Sequence, residues 1–135
     1  MIRLFALLLI GFIPLAKSGV GDTYYCDTEH KILIEDNKLV KYLGERFMFK
    51  WDKKNEHEFI VFGETGEQRF RNQQFGLDFS VPKHEVFDAT SYEFPSRSRA
   101  YFNAGRFRYV ELSRNPHPKE YMEVVGIIAN CSKFK

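Results

Sequence analysis

The chain has 135 residues, 44% of them hydrophobic and 16% aromatic, with 20 Lys and Arg against 18 Asp and Glu. That length suits one domain around one core, and the near-balanced charge excludes a general polyanion binder, so nothing global points to nucleic acid or to an anionic membrane. The small basic excess comes from Arg3 and Lys17 in a leader segment; residues 19–135 carry 18 charges of each sign, a formal net charge of zero.

Met1-Ile2-Arg3 is a short positive start, Leu4 to Leu15 an apolar run of twelve residues, and Ala16-Lys17-Ser18 a small-residue site. This pattern predicts a cleavable export signal, removed between Ser18 and Gly19, with residues 19–135 left as a single domain. Twelve residues of helix are too short to cross a hydrocarbon core of about 30 Å, so no stable membrane insertion is expected after cleavage. Thr23-Tyr24-Tyr25 lacks the small residues of a lipidation box ahead of Cys26. The expected location is periplasmic or extracellular.

Cys26 and Cys131 are the two cysteines of the chain. In an oxidising compartment they predict one intramolecular disulfide. It closes a loop of roughly 100 residues, for which constraint of the unfolded chain is worth about 4–5 kcal/mol. His30, His57, His84 and His117 show no ligand spacing, so neither a metal nor another cofactor is expected.

Aromatic content favours strands and a core filled by rings. In chain order, Ile32 to Leu43 fits either two short strands about Asp36-Asn37 or a short helix ending at Gly44. Arg46 to Trp51 alternates, with Phe47, Phe49 and Trp51 on one face. Asp52 to Glu56 is a polar turn, and Glu58 to Phe62 returns to complete a hairpin. Phe75, Leu77 and Phe79 alternate with Gly76, Asp78 and Ser80, which predicts a half-buried strand ended by Pro82. Val86 to Phe94 is a further strand closed by Pro95.

Arg97 to Phe102 and Arg106 to Leu112 flank Asn103-Ala104-Gly105, read as a three-residue hairpin loop with Gly105 left-handed. That register sets Tyr101 against Phe107, Arg99 against Tyr109 and Arg97 against Glu111. Ser113 to Glu120, with Pro116 and Pro118, is a surface loop. Tyr121 to Cys131 is the last strand, with Gly126 marking a bulge. Seven or eight antiparallel strands must hide their edges, which predicts an all-β small antiparallel barrel, with a flattened sandwich as the alternative. A bridge from the first strand to the last would pin its closure.

No segment carries a catalytic motif, and the chain is read as a non-enzyme. Glu56-His57-Glu58 resembles an acid–base cluster, but neighbouring strand residues point to opposite faces, so it is read as a solvated turn. Asn130-Cys131-Ser132 fits a glycosylation sequon whose middle residue is the disulfide cysteine. The candidate binding surface is the hairpin carrying Arg97, Arg99, Tyr101, Arg106, Arg108 and Tyr109, where guanidinium groups interleave with rings.

Tyr24-Tyr25-Cys26 at one end and Cys131-Ser132-Lys133-Phe134 at the other, behind an export signal, resemble small exported bacterial and phage-associated proteins of unknown function. That resemblance implies no activity. Lysozyme inhibitors are similar in scale and in having cysteines near each end of a barrel, but their inhibitory segment has no counterpart here. Phe49-Lys50-Trp51 lacks the Gly-x-Trp of lipocalins. Gly105 to Leu112 resembles the aromatic strand of RNA-recognition domains, with Arg108 standing where a small residue belongs. Two functions are therefore expected, both as a monomer. The first is a binding protein that holds a small apolar or aromatic ligand in the barrel. The second is a protein-interaction module, an inhibitor or envelope accessory factor, working through the arginine–aromatic hairpin.

Overall fold

The computed structural model describes residues 19–35, 37–93, 96–115 and 121–134. The expected export signal, Pro95 and the expected loop with Pro116 and Pro118 lie outside these residues. Nine strands follow in order: β1 (Thr23–Glu35), β2 (Lys38–Tyr42), β3 (Phe47–Lys54), β4 (His57–Phe62), β5 (Gln74–Val81), β6 (Val86–Glu93), β7 (Ser96–Asn103), β8 (Arg106–Asn115) and β9 (Tyr121–Lys133). All pair antiparallel, and β1 also pairs with β9, so eight strands close into a barrel while β2 extends the sheet. The sheet is an all-β barrel, as the composition and turn pattern lead one to expect.

Ile32 to Leu43 forms strands, not a helix: β1 and β2 pair from Lys31↔Tyr42 to Glu35↔Lys38, turning at Asn37 with a φ of 61°. Asparagine tolerates that left-handed conformation better than most residues. β2 and β3 lie end to end along one edge of β1, whose first residues pair with β3 and whose last pair with β2. The other edge of β1 pairs with β9 along nearly its whole length. Cys26 and Cys131 face each other on that seam and are bonded, with Cα atoms 4.0 Å apart.

The lumen is filled by rings. Trp51, Tyr24, Phe49, Phe62, Phe70, Phe75, Phe87, Phe102 and Phe107 are almost wholly buried, and Ala89, Ala100 and Ala129 leave the space they need. Trp51 meets Phe87 at 5.2 Å between ring centres, Phe49 meets Phe102 at 5.5 Å, and Phe62 stacks on Phe70 at 4.5 Å. A barrel of eight strands is just wide enough for its own side chains to fill it.

Several expected details differ. β3 runs on through Lys54, leaving Asn55-Glu56 as a two-residue turn. In β5 the register shifts between Leu77 and Phe79, so Phe79 leaves the face of Phe75 and is 56% exposed. A bulge inserts one residue and reverses the side-chain alternation beyond it. Gly126 carries no bulge; it pairs in continuous register with Ile32 and Val110, and a Cβ there would come within 3.1 Å of the Ile32 side chain. The bulge of this seam lies on β1 instead, between Thr28 and His30.

The barrel has two dissimilar ends. At one end Gly19–Asp22, the β3–β4 and β7–β8 turns and a 3-10 turn at Pro82–His84 gather around Trp51, Tyr24 and Lys133. At the other end the segment between β4 and β5 folds in as a plug. Its backbone is tied by Glu67 N–H to Arg46 O, and its 3-10 turn (Gln68–Phe70) drives Phe70 into the core. Gly66 permits the close approach: at φ 91°, a Cβ would stand 2.0 Å from the Arg46 carbonyl oxygen.

Candidate functional sites

The β7–β8 hairpin closes through two residues, not three. Ala104 and Gly105 both have positive φ, 44° and 90°, and Asn103 pairs with Arg106. Two positive φ values give a turn whose twist matches the strands. The observed register sets Tyr101 against Arg108, Arg99 against Val110 and Arg97 against Leu112, while Phe107 faces Phe102 and Tyr109 faces Ala100. The shift of one residue separates the arginines from Tyr109. Tyr109 is 4% exposed inside the barrel, and its hydroxyl donates to Glu111 Oε2.

The four arginines and Tyr101 lie on the outside. Arg99 is held by Asp88 from β6, with Nε donating to Oδ1 at 2.8 Å. This guanidinium keeps the Asp88 carboxyl below the usual carboxylate range. Arg106 bridges to Glu29, at the β1 bulge, and to Asn130, whose amide also donates to Glu29. Arg97 and Arg108 are exposed and make no ion pair with the described residues. Beside them several outward positions of β8, β9, β1 and β2 are apolar, with Arg106, Arg114, Asn130 and Lys41 on the same face. Val110, Leu112, Met122 and Leu39 are exposed, and Ile32, Ile34, Val124 and Ile128 are half-buried between them. Pairing makes the strip continuous, because Arg97↔Leu112↔Val124↔Ile34↔Leu39 form one rung across the sheet. Tyr92, 74% exposed, stands next to Arg97 at its far end.

The second cluster surrounds the plug. Arg69 donates to Glu111 Oε1 at 3.1 Å and to Glu123 Oε1 at 2.6 Å, fastening the plug to β8 and β9. Burial works against the charge on Arg69, but Glu123 and Glu111 outweigh it and raise its pKa. Glu111 also accepts from Ser113 Oγ at 2.7 Å. Lys31 Nζ donates to Glu67 Oε1 at 2.6 Å. An open-sided cavity of about 500 Å³ is bordered by Lys31, Glu45, Glu67, Gln68, Arg69, Gln73 and Glu111. These residues are scattered over four segments: β1, the β2–β3 connection, the plug and β8. The one sequence signal that could have found them is the density of charge in Glu67-Gln68-Arg69 next to Phe70.

Glu56, His57 and Glu58 border a smaller cavity of about 440 Å³ at the opposite end. Glu58 turns inward to accept from Trp51 Nε1 at 3.2 Å and Ser80 Oγ at 2.6 Å, whereas His57 is exposed. Among the described residues no group of three or more His, Cys, Asp or Glu side chains is arranged to hold a metal ion. No described helix is long and apolar enough to cross a membrane. No protein family, curated protein or solved structure matches the chain.

Proposed function

We propose that the chain is an exported, non-catalytic interaction module that holds an acidic partner protein against the outer face of β7, β8 and β9. The observation that carries this reading is the apolar strip through Val110 and Leu112, set beside Arg97 and Arg108, which have no ion-pair partner among the described residues. A continuous exposed apolar patch on a small domain marks an interaction surface. Its cationic border selects an apolar patch ringed by Asp and Glu, and like charges would be rejected. The ring-filled lumen argues against the other reading, a small apolar ligand held inside. Export is supported by the leader pattern and by a disulfide, which persists in oxidising compartments. The intact mass of protein recovered from the source cell should begin at Gly19, two hydrogens short of the dithiol.

The test of the surface places a photo-crosslinking residue at Val110 or Leu112 in turn, with Lys50 on the far wall as the control. Adducts with one protein from the first two positions and not the third are expected. The purified partner should then bind at least tenfold more weakly to Arg97→Glu/Arg108→Glu, with unchanged thermal stability, a loss of about 1.4 kcal/mol or more. Equal adducts from Lys50, or adducts with lipid alone, would reject the proposal. A small molecule retained in native mass spectrometry would restore the lumen reading.

A further inference from the structure

Glu67 is 1% exposed, and its two carboxylate oxygens are unequally served. Oε1 takes the Lys31 ammonium at 2.6 Å, while Oε2 is buried and accepts no hydrogen bond in the described structure. A buried charged acceptor left unfilled is costly, and folded proteins fill nearly all of them. This one belongs to a residue that borders the cavity at the plug, whose volume of about 500 Å³ lies within the range of small-molecule sites.

The chemistry around it specifies the missing group. The lining has three carboxylates, Glu45, Glu67 and Glu111, against two cations, Lys31 and Arg69, an excess of one negative charge. Both cations are already committed, Lys31 to Glu67 and Arg69 to Glu111 and Glu123. An anionic ligand would have to displace one of those pairs. A cation that brings its own N–H groups would leave both pairs in place; because Oε2 is closed to solvent, it would reach that oxygen once a lining side chain turns aside. A bare metal ion fits poorly, since no three His, Cys, Asp or Glu side chains converge to hold one among the described residues. Gln68 and Gln73 on the same wall can take neutral hydrogen bonds from the rest of a ligand.

We propose that this end of the barrel binds a small organic cation through a primary amine or guanidinium, with Glu67 Oε2 as the acceptor and Glu45 on the exposed rim as a second attracting charge. The site is separate from the outer face of β7–β9 and does not depend on it.

The experiment is a titration of the folded, disulfide-bonded domain with agmatine, followed by amide NMR. Tetramethylammonium (charge without donors), urea (donors without charge) and succinate serve as controls. Agmatine should give saturable shifts centred on Glu67 to Asn72 and Lys31, and the three controls should not. Glu67→Gln should weaken agmatine binding by about tenfold or more. If that variant does not fold, Glu45→Gln replaces it and should weaken binding by a smaller factor. The proposal is overturned if agmatine gives no saturable shifts there, if tetramethylammonium or succinate reproduces them, or if the variant that folds binds agmatine as the native chain does.

Discussion

Tyr24 and Tyr109 each bury a phenol beside a carboxylate, at opposite ends of the barrel. Tyr24 donates to Glu85 Oε1 at 3.0 Å and lies under the Lys133 ammonium, while Tyr109 donates to Glu111. Burial disfavours both phenolates and the neighbouring carboxylates add to the effect, so both pKa values are raised. A group whose pKa is raised by folding stabilises the fold fully below its unfolded value, and that contribution is lost as pH climbs above it. Stability should therefore fall above about pH 10, where unfolded tyrosine ionises. In an ultraviolet titration part of the phenol signal should appear only with unfolding. Tyr24→Phe and Tyr109→Phe should each shrink that late component, and a smooth titration of all phenols in the folded state would contradict the assignment. Neither environment was legible in the sequence. Tyr109 alternates with Arg108 as any strand residue would, and only the turn length decides which face it takes.

That turn is an element with room for improvement. Ala104 adopts φ 44°, where a Cβ is strained, and Gly105 follows at 90°. Ala104→Gly removes the strained Cβ at an exposed position, at the cost of a freer unfolded chain. The balance should favour the variant by up to about 1 kcal/mol, read as a higher urea midpoint with an unchanged slope. A lower midpoint would mean that unfolded-state entropy outweighs the strain. Strand identity was readable from alternation and turn residues at most of these elements, because a half-buried strand must alternate to cover a core. Register was not. The bulges at Glu29 and Asp78 and the two-residue β7–β8 turn each move a strand by one residue, with no distinctive composition to announce it. The plug was missed for a related reason. Glu67 to Phe70 works through partners on β1, β8 and β9, more than 30 residues away in sequence.

The whole molecule depends on one seam. Closure needs β1 against β9, and the Cys26–Cys131 bond joins them across 105 residues of chain. Cys26→Ser/Cys131→Ser should therefore lose about 4–5 kcal/mol in urea denaturation, chiefly by freeing the unfolded ensemble. Refolding should also slow, since the longest loop must then close by chance before the barrel can form. A loss under about 1 kcal/mol would place the stability of the seam in its ladder and not in the bond. The placement of this bridge, like the barrel itself, was legible because two cysteines and many short strands leave few ways to hide an edge. The same seam brings Phe134 N–H to the carbonyl of Thr23 at 2.7 Å, at the end of the barrel remote from the plug. The residues ahead of Thr23, Gly19–Asp22, lie across that same end, so a tether joined to them and one joined behind Phe134 would both leave the molecule at the end remote from the plug. Either would hang the domain with Glu67 and its cavity facing outward, so the chain can be anchored by either end without turning that mouth toward the support.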